Sequence, residues 1–298
     1  MKLDDGFAKV TNFNFEKHGF TINCYDMKTS FFTNQDRVGE MDYAMINATL
    51  FGRFVSRSDE TAVAMLPGTG MVHHPSDARN YMYLPSKGYM GLGIAFDRKN
   101  FRFIDADLRG PEIIRSVETT YKADTSSPFY LSDDIMMELY ALQTILGDPD
   151  TIDDVQVSII VSDMVRRLND ANEVRFSDAP METDTFPEDI VYNRIMSDLS
   201  AASKVDEVCS ELGIDKFDIS RRFKRTYRKT PYSMQRHQRL LRAGSMLMLG
   251  ERNMEAVARS IGYATENKFA AAFRKEFGFR PKHFDKEFRN PLARDQNA

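Results

Sequence analysis

Between Lys216 and Arg242 the chain carries ten Lys and Arg residues and one acid, Asp218. Such density suits phosphate binding, because each cation that neutralises a phosphate releases condensed counterions. Helical spacing sorts the residues. Ile219 and Phe223 fall on one face at i, i+4, with Phe217, Ser220, Arg221, Lys224 and Arg228 on the other. A helix of this width enters a major groove. Lys216, Phe217, Ser220 and Arg221, in its first half, are placed for base edges, and Lys224, Arg225 and Arg228 for phosphates. A second helix expected over Glu266–Phe277 offers Thr265, Glu266, Asn267 and Ala271, with Arg274 and Lys275 for the backbone. It has fewer cations, so the first helix is expected to supply more of the affinity.

These helices belong to a repeat. Val208-Cys209-Ser210-Glu211-Leu212-Gly213 aligns with Val257-Ala258-Arg259-Ser260-Ile261-Gly262 at an offset of 49. Phe223-Lys224-Arg225-Thr226-Tyr227 aligns with Phe273-Arg274-Lys275-Glu276-Phe277 at 50, as does Thr230-Pro231 with Arg280-Pro281. The second turn is therefore one residue longer. In each copy a short helix ends at a glycine suited to a left-handed turn. Asp215 is expected to cap the next helix in the first copy. Cys209 aligns with Ala258 and reads as a small core residue where two helices cross. Pro231–Leu249 is expected as the joining helix, with Gly244 weakening it by about 1 kcal/mol relative to alanine.

The stretch from Tyr192 to Phe288 resembles the AraC/XylS family of transcription regulators. The motifs that carry the resemblance are Val257-Ala258-Arg259-Ser260-Ile261-Gly262-Tyr263, Phe269, Phe273-Arg274-Lys275-Glu276-Phe277-Gly278 and Pro281, together with Arg239-Leu240-Leu241-Arg242-Ala243. The resemblance implies a seven-helix domain. Its two recognition helices would enter successive major-groove faces on one side of promoter DNA, with RNA polymerase as a further partner. Three positions depart from the family pattern: Arg222 where an apolar residue is usual, Arg228 where Gly is common, and Asp285 where Arg is frequent.

The net charge of −4 divides unevenly: residues 188–290 carry +7 and residues 1–187 carry −11. The basic half suits DNA and the acidic half should stay off it. Two cysteines, Cys24 and Cys209, rule out a disulfide framework or a four-cysteine metal site. No long apolar run or signal-like segment occurs in the sequence, so a cytoplasmic protein that does not enter membranes is expected.

The expected fold class is α+β. Residues 1–170 read as a β-rich sensor and dimerisation domain, 171–187 as a linker, and 188–290 as an all-α domain with two helix-turn-helix units. Short β segments are expected at Phe20–Tyr25, Tyr43–Val55, Thr61–Leu66, Asn80–Leu84 and Gly91–Phe96, with Gly/Pro punctuation such as Pro67-Gly68-Thr69-Gly70. That pattern fits a sandwich or barrel, and in the family resemblance it implies a cupin-like domain. Helices follow at Pro111–Tyr121, Ser132–Leu146 and Thr151–Leu168. The last has a wide apolar stripe that includes Val155, Ile159 and Val161, suited to the sheet or to a second copy, so helices 132–168 are a candidate homodimer surface.

Tyr25, His73, Tyr81, Tyr83 and Tyr89 are candidates to line a small-molecule effector site, with apolar bodies and polar tips. His73-His74 does not read as a metal site, since adjacent residues on a strand point to opposite faces. No cofactor, metal or catalytic residue is expected: phosphate-loop, nucleophile-elbow and HExxH motifs are all missing from the sequence. The function that follows is a DNA-binding regulator, an effector-responsive activator. Control by a protein partner, or a cupin-type metalloenzyme fused to a DNA reader, are the alternatives. An alkyltransferase fusion fails for want of cysteines.

Overall fold

The computed structural model describes residues 2–4, 8–29, 31–32, 42–57, 62–73, 81–104, 109–123, 125, 127–201 and 204–289. The chain divides into two compact units. One comprises Met1–Ile135 with Leu142–Asp189, the other Met136–Ala141 with Ile190–Ala298.

Among the described residues, the first unit has eleven strands: β1 (Lys2–Asp4), β2 (Ala8–Phe15), β3 (Phe20–Met27), β4 (Phe31–Phe32), β5 (Tyr43–Phe51), β6 (Phe54–Arg57), β7 (Ala62–Met65), β8 (Thr69–His73), β9 (Tyr81–Tyr83), β10 (Tyr89–Asp97) and β11 (Phe129–Tyr130). They form a seven-stranded sheet, order β1-β2-β3-β10-β5-β8-β11, and a four-stranded sheet, order β4-β9-β6-β7. Every strand pair is antiparallel. Side chains from both sheets share a core: Ala8, Met27 and Tyr89 pack with Leu84, just past β9, and the partly buried Phe54 of β6 lies against them. This is the expected α+β class, sheets first and helices after.

Several strands differ from expectation. The segment expected over Tyr43–Val55 is two strands, because the chain bends at Gly52 and passes from the seven-stranded to the four-stranded sheet. Gly52 has φ +79°, and a Cβ there would sit 2.0 Å from the Gly88 carbonyl oxygen, so only glycine fits. Thr69 and Gly70, expected in a turn, instead open β8. Strand β2 carries no clear sequence signal, because its apolar alternation changes phase, from Ala8 and Val10 to Phe13 and Phe15.

The described helices of this unit are α1 (Gly110–Thr120), α2 (Asp133–Leu146), whose middle belongs to the second unit, and α3 (Asp154–Asn169). Ser132 caps α2 by accepting from Ile135 N–H. The start of α3 differs from the Thr151 expected. Asp153 caps it, accepting from Val155 and Gln156, and Pro149–Thr151 is a separate 3-10 turn. Val157, Ile160, Val161, Met164, Val165 and Leu168 of α3 are buried, whereas Val155 and Ile159 are exposed.

Residues 171–187, expected as a linker, make specific contacts. Phe176 forms an isolated β-bridge with Phe129. The fully buried Arg53 donates to the carbonyl oxygens of Glu182 (2.6 Å) and Asp184 (2.8 Å) and makes a two-point ion pair with the fully buried Asp189 (2.9 and 3.2 Å). Its guanidinium also lies 5.1 Å from the centre of the Phe186 ring. A polar, Pro-containing sequence reads as solvated because the group that gathers it lies more than a hundred residues earlier.

The second unit holds the remaining helices: α4 (Pro187–Met196), whose first turn lies in the other unit, α5 (Val205–Leu212), α6 (Lys216–Tyr227), α7 (Pro231–Met248), α8 (Met254–Ser260), α9 (Glu266–Phe277) and α10 (Phe284–Arg289). Gly244 in α7 is more than a weak point. A Cβ there would meet the buried Met137 side chain at 2.2 Å, so the small residue allows close packing within this unit.

Candidate nucleic-acid interface

The repeat seen in the sequence is a repeat of geometry. Helix α5 ends at Gly213 (φ +63°) and α8 is followed by Gly262 (φ +83°), both in the left-handed region. Asp215 caps α6, accepting from Phe217 and Asp218 N–H, and Thr265 caps α9, accepting from Lys268 N–H. Ile219 and Phe223 on α6, and Phe269 and Phe273 on α9, are completely buried. Each inner face is thereby fixed against its own unit's core, and the opposite face is turned to solvent. Cys209 and its counterpart Ala258 are both buried, as expected of a helix crossing.

Helix α7 is the frame. Gln235 Nε2 donates to the Ile195 carbonyl at 3.0 Å, and Arg239 donates to the Leu199 carbonyl. Toward α9, His237 Nδ1 lies 2.8 Å from Glu276 Oε1, and Arg236 pairs with the same carboxylate at 3.4 Å. The His237 hydrogen bond holds the Glu276 carboxyl below its usual range, with Arg236 and Lys229 adding to the effect.

The solvent face of α6 carries the expected residues, but not all are unengaged. Phe217 is 82% exposed. Lys216 pairs with Asp206 at 2.9 Å, Arg221 with Asp218 at 2.5 Å, and Arg222 with Asp218 at 2.8 Å. Hydrogen bonds from Arg222 and Arg221 hold the Asp218 carboxyl below the ordinary carboxylate range. Lys224 and Arg225 are exposed and Ser220 is half-buried. Around α9 the exposed residues Glu266, Asn267, Ala271, Arg274 and Lys275 line an open groove of about 720 Å³, joined by Arg280 and Lys282 beyond the helix. Among the described residues, Arg274, Lys275, Arg280 and Lys282 have no carboxylate partner. Sequence reasoning missed Arg280 and Lys282. Their signal was the Arg280-Pro281 match to Thr230-Pro231. On α6, Arg221 and Arg222 are paired with Asp218, whereas the cations around α9 have no such pair.

The three departures from the family pattern each have a local explanation. Arg222 stays at the surface through Asp218. Arg228 closes α6 with φ +60°, the same role that Gly278 plays at φ +85° fifty residues later. Asp285 pairs with Arg252 at 2.7 Å.

The candidate effector residues separate. Tyr25 (β3), Tyr89 (β10) and His73 (β8) share one face of the seven-stranded sheet, through Tyr25 opposite Gly91 and His73 opposite Met45. Asn23 and Asn47 lie on that face too, and sequence reasoning missed both. For Asn47 the signal was a polar residue inside the apolar run of β5. Asn47 Nδ2 donates to His73 Nε2 at 2.7 Å. A Cβ on Gly93 would meet the Asn47 oxygen at 2.5 Å and the Tyr25 ring at 3.1 Å, so glycine lets these groups close over the sheet. Burial pushes the Tyr25 hydroxyl up to about 12 and the Tyr89 hydroxyl higher still. Tyr81 and Tyr83 lie in β9, on the four-stranded sheet, and do not join this row. His74 lies outside the described residues. Among the described residues no helix is long and apolar enough to cross a membrane.

Two helix-turn-helix units carried on one long helix define a double helix-turn-helix domain. Residues 208–287 match the family model described as "Helix-turn-helix domain", and this domain is of the AraC type. The chain thereby carries a helix-turn-helix DNA-binding domain over these residues. No curated protein sequence matches the chain. Among solved structures, ToxT from Vibrio cholerae O395 is 13% identical, covering 89% of this chain and 96% of that one, with a TM-score of 0.31. The AraC-like transcriptional activator CuxR is 15% identical over 82% of this chain and 83% of that one, with a TM-score of 0.37. The DNA-binding domain of AdpA, solved with a target DNA, is 19% identical over 37% of this chain and 98% of that one, with a TM-score of 0.32.

Proposed function

We propose that this regulator reads promoter DNA with α6 and α9 together, and that a small effector on residues 1–170 controls it. The observation that carries the first part is the duplicated geometry. Two capped helices, each locked by a buried Phe at the same repeat position, turn exposed cations and short polar residues outward. Lys216, Phe217, Ser220 and Arg221 on one side, and Thr265, Glu266, Asn267 and Ala271 on the other, are the base-facing set. Thr265 does so while its oxygen also caps α9. Lys224, Arg225, Arg274, Lys275, Arg280 and Lys282 meet phosphates.

The effector reading is supported by the row of Tyr25, Asn23, Asn47, His73 and Tyr89, which mixes hydroxyl, amide and imidazole groups beside a glycine floor. Such a row suits a neutral polar ligand. Effector binding would shift an equilibrium between DNA-competent and DNA-incompetent states, with activation through RNA polymerase in the cytoplasm. Exposed Val155 and Ile159 support α3 as a homodimer contact.

Fluorescence anisotropy of the full chain on DNA tests the DNA-reading function. With about six phosphate contacts, affinity should fall roughly 10³-fold between 50 and 200 mM salt. Binding indifferent to salt would contradict it. A thermal-shift screen of metabolites tests the effector. A ligand whose stabilisation survives Asn47→Ala and Tyr25→Phe would place its site elsewhere.

A further inference from the structure

Phe217 is the most exposed large apolar side chain among the described residues, at 82%, and nothing in the fold uses it. Its backbone N–H is taken by the Asp215 cap at 2.8 Å, which fixes the residue at the first turn of α6 and aims the ring outward. The core of the unit is completed without it by Ile219 and Phe223, both fully buried. Lys216 and Arg221, one residue before and four after, are cationic, and each is held by a carboxylate of the same domain, Asp206 and Asp218. A bare aromatic ring between two positioned cations is out of place on a merely solvated face. It is suited to a surface that is anionic at its rim and apolar at one point on its floor. The major groove offers this combination at one base only, where the thymine C5-methyl projects between the phosphate rails.

We propose that Phe217 is a specificity-determining residue that packs on a thymine methyl in the part of the site read by α6. The proposal rests on the DNA-reading function above and names the base that its first helix selects. In the free protein Asp206 and Asp218 keep Lys216 and Arg221 beside the ring; when these cations exchange their carboxylates for DNA, the apolar contact fixes which base lies beneath the ring. Helix α9 carries Asn267 at the position equivalent to Phe217, so the aromatic contact belongs to the first unit.

The test begins with selection of a binding sequence from a random duplex pool by the full-length protein. Each thymine of that sequence is then replaced in turn by deoxyuridine, which removes the methyl and leaves base pairing intact. For the wild-type chain, one thymine should show a loss of at least about fourfold, the equivalent of one buried methylene-sized group at roughly 0.8 kcal/mol. The remaining thymines should change little. In Phe217→Ala that one position should become indifferent to uracil, and Phe217→Leu should restore part of the discrimination. Circular dichroism of the exposed-site variants should match wild type, which separates loss of contact from loss of fold. Uracil indifference at every position, or an equal uracil penalty in wild type and Phe217→Ala, would overturn the proposal while leaving DNA reading intact. A pool that yields no enriched sequence would instead overturn the DNA-reading function, and this proposal with it.

Discussion

Replacing Asp189 with Asn should be among the most damaging single changes in the chain. Arg53 and Asp189 are both completely buried, and the pair is joined at two points, 2.9 and 3.2 Å. Arg53 also donates to carbonyls at Glu182 and Asp184, and Asp189 accepts from the Phe186 N–H at 2.9 Å. The asparagine keeps the volume but leaves a buried guanidinium without its counter-charge. Breaking a buried pair in this way costs about 3–5 kcal/mol. Asparagine retains one acceptor, so the low end is expected, and about 3 kcal/mol is more than a hundredfold in the folded-to-unfolded ratio. The chain has no Trp, so urea unfolding is best followed by circular dichroism. Protease cleavage within residues 180–186 should rise in parallel, since those carbonyls lose their anchor. The double variant Arg53→Met, Asp189→Leu should lose less than the sum of the two single variants. It should still fall short of wild type, because methionine cannot serve the carbonyl oxygens. A loss under about 1 kcal/mol for Asp189→Asn, with unchanged cleavage, would mean that the pair acts like an exposed one and that the linker is not anchored through it.

Three other substitutions have outcomes set by the same structure. Asp218→Asn frees Arg221 and Arg222 from their carboxylate, so DNA affinity measured by anisotropy should rise a few-fold, and an unchanged or lower affinity would refute the competition between Asp218 and DNA. Arg228→Gly should stabilise the second unit by about 0.5–1 kcal/mol in thermal unfolding, because the left-handed conformation at φ +60° strains a side-chain-bearing residue. Glu276→Gln should destabilise by about 1 kcal/mol at neutral pH, the scale of a partly exposed charged pair. The folded-state value of Glu276 is depressed, so its stabilisation is full above the ordinary value of 4.5. It is lost as pH falls through the lower folded value, where the unfolding free energies of wild type and Glu276→Gln should converge.

The second unit was largely legible because its signals are local. Gly213, Asp215, Phe223 and Pro231 recur as Gly262, Thr265, Phe273 and Pro281, and each acts within a few residues of itself. The charge partners were not legible. Asp218 was visible as a lone acid, but that it engages both arginines depends on i+3 and i+4 side-chain geometry. The first unit hid more, because its organising contacts are distant in sequence. Arg53 reads as an ordinary surface arginine until Asp189 is brought to it across 136 residues. Asn47 and His73 meet only once β5 and β8 are in register. Tyr81 and Tyr83 resemble partners of Tyr25 and Tyr89 because residue type is visible in a sequence and sheet membership is not.

Two unequal helices on one frame should read one face of DNA, and hydroxyl-radical and methylation footprinting of the full chain on a selected site tests this directly. Two protected major-groove patches are expected on the same side of the duplex, about 10 base pairs apart. Arg221→Ala should weaken the first patch and Asn267→Ala the second. A single protected patch, or loss of both patches from either substitution alone, would contradict paired reading by α6 and α9.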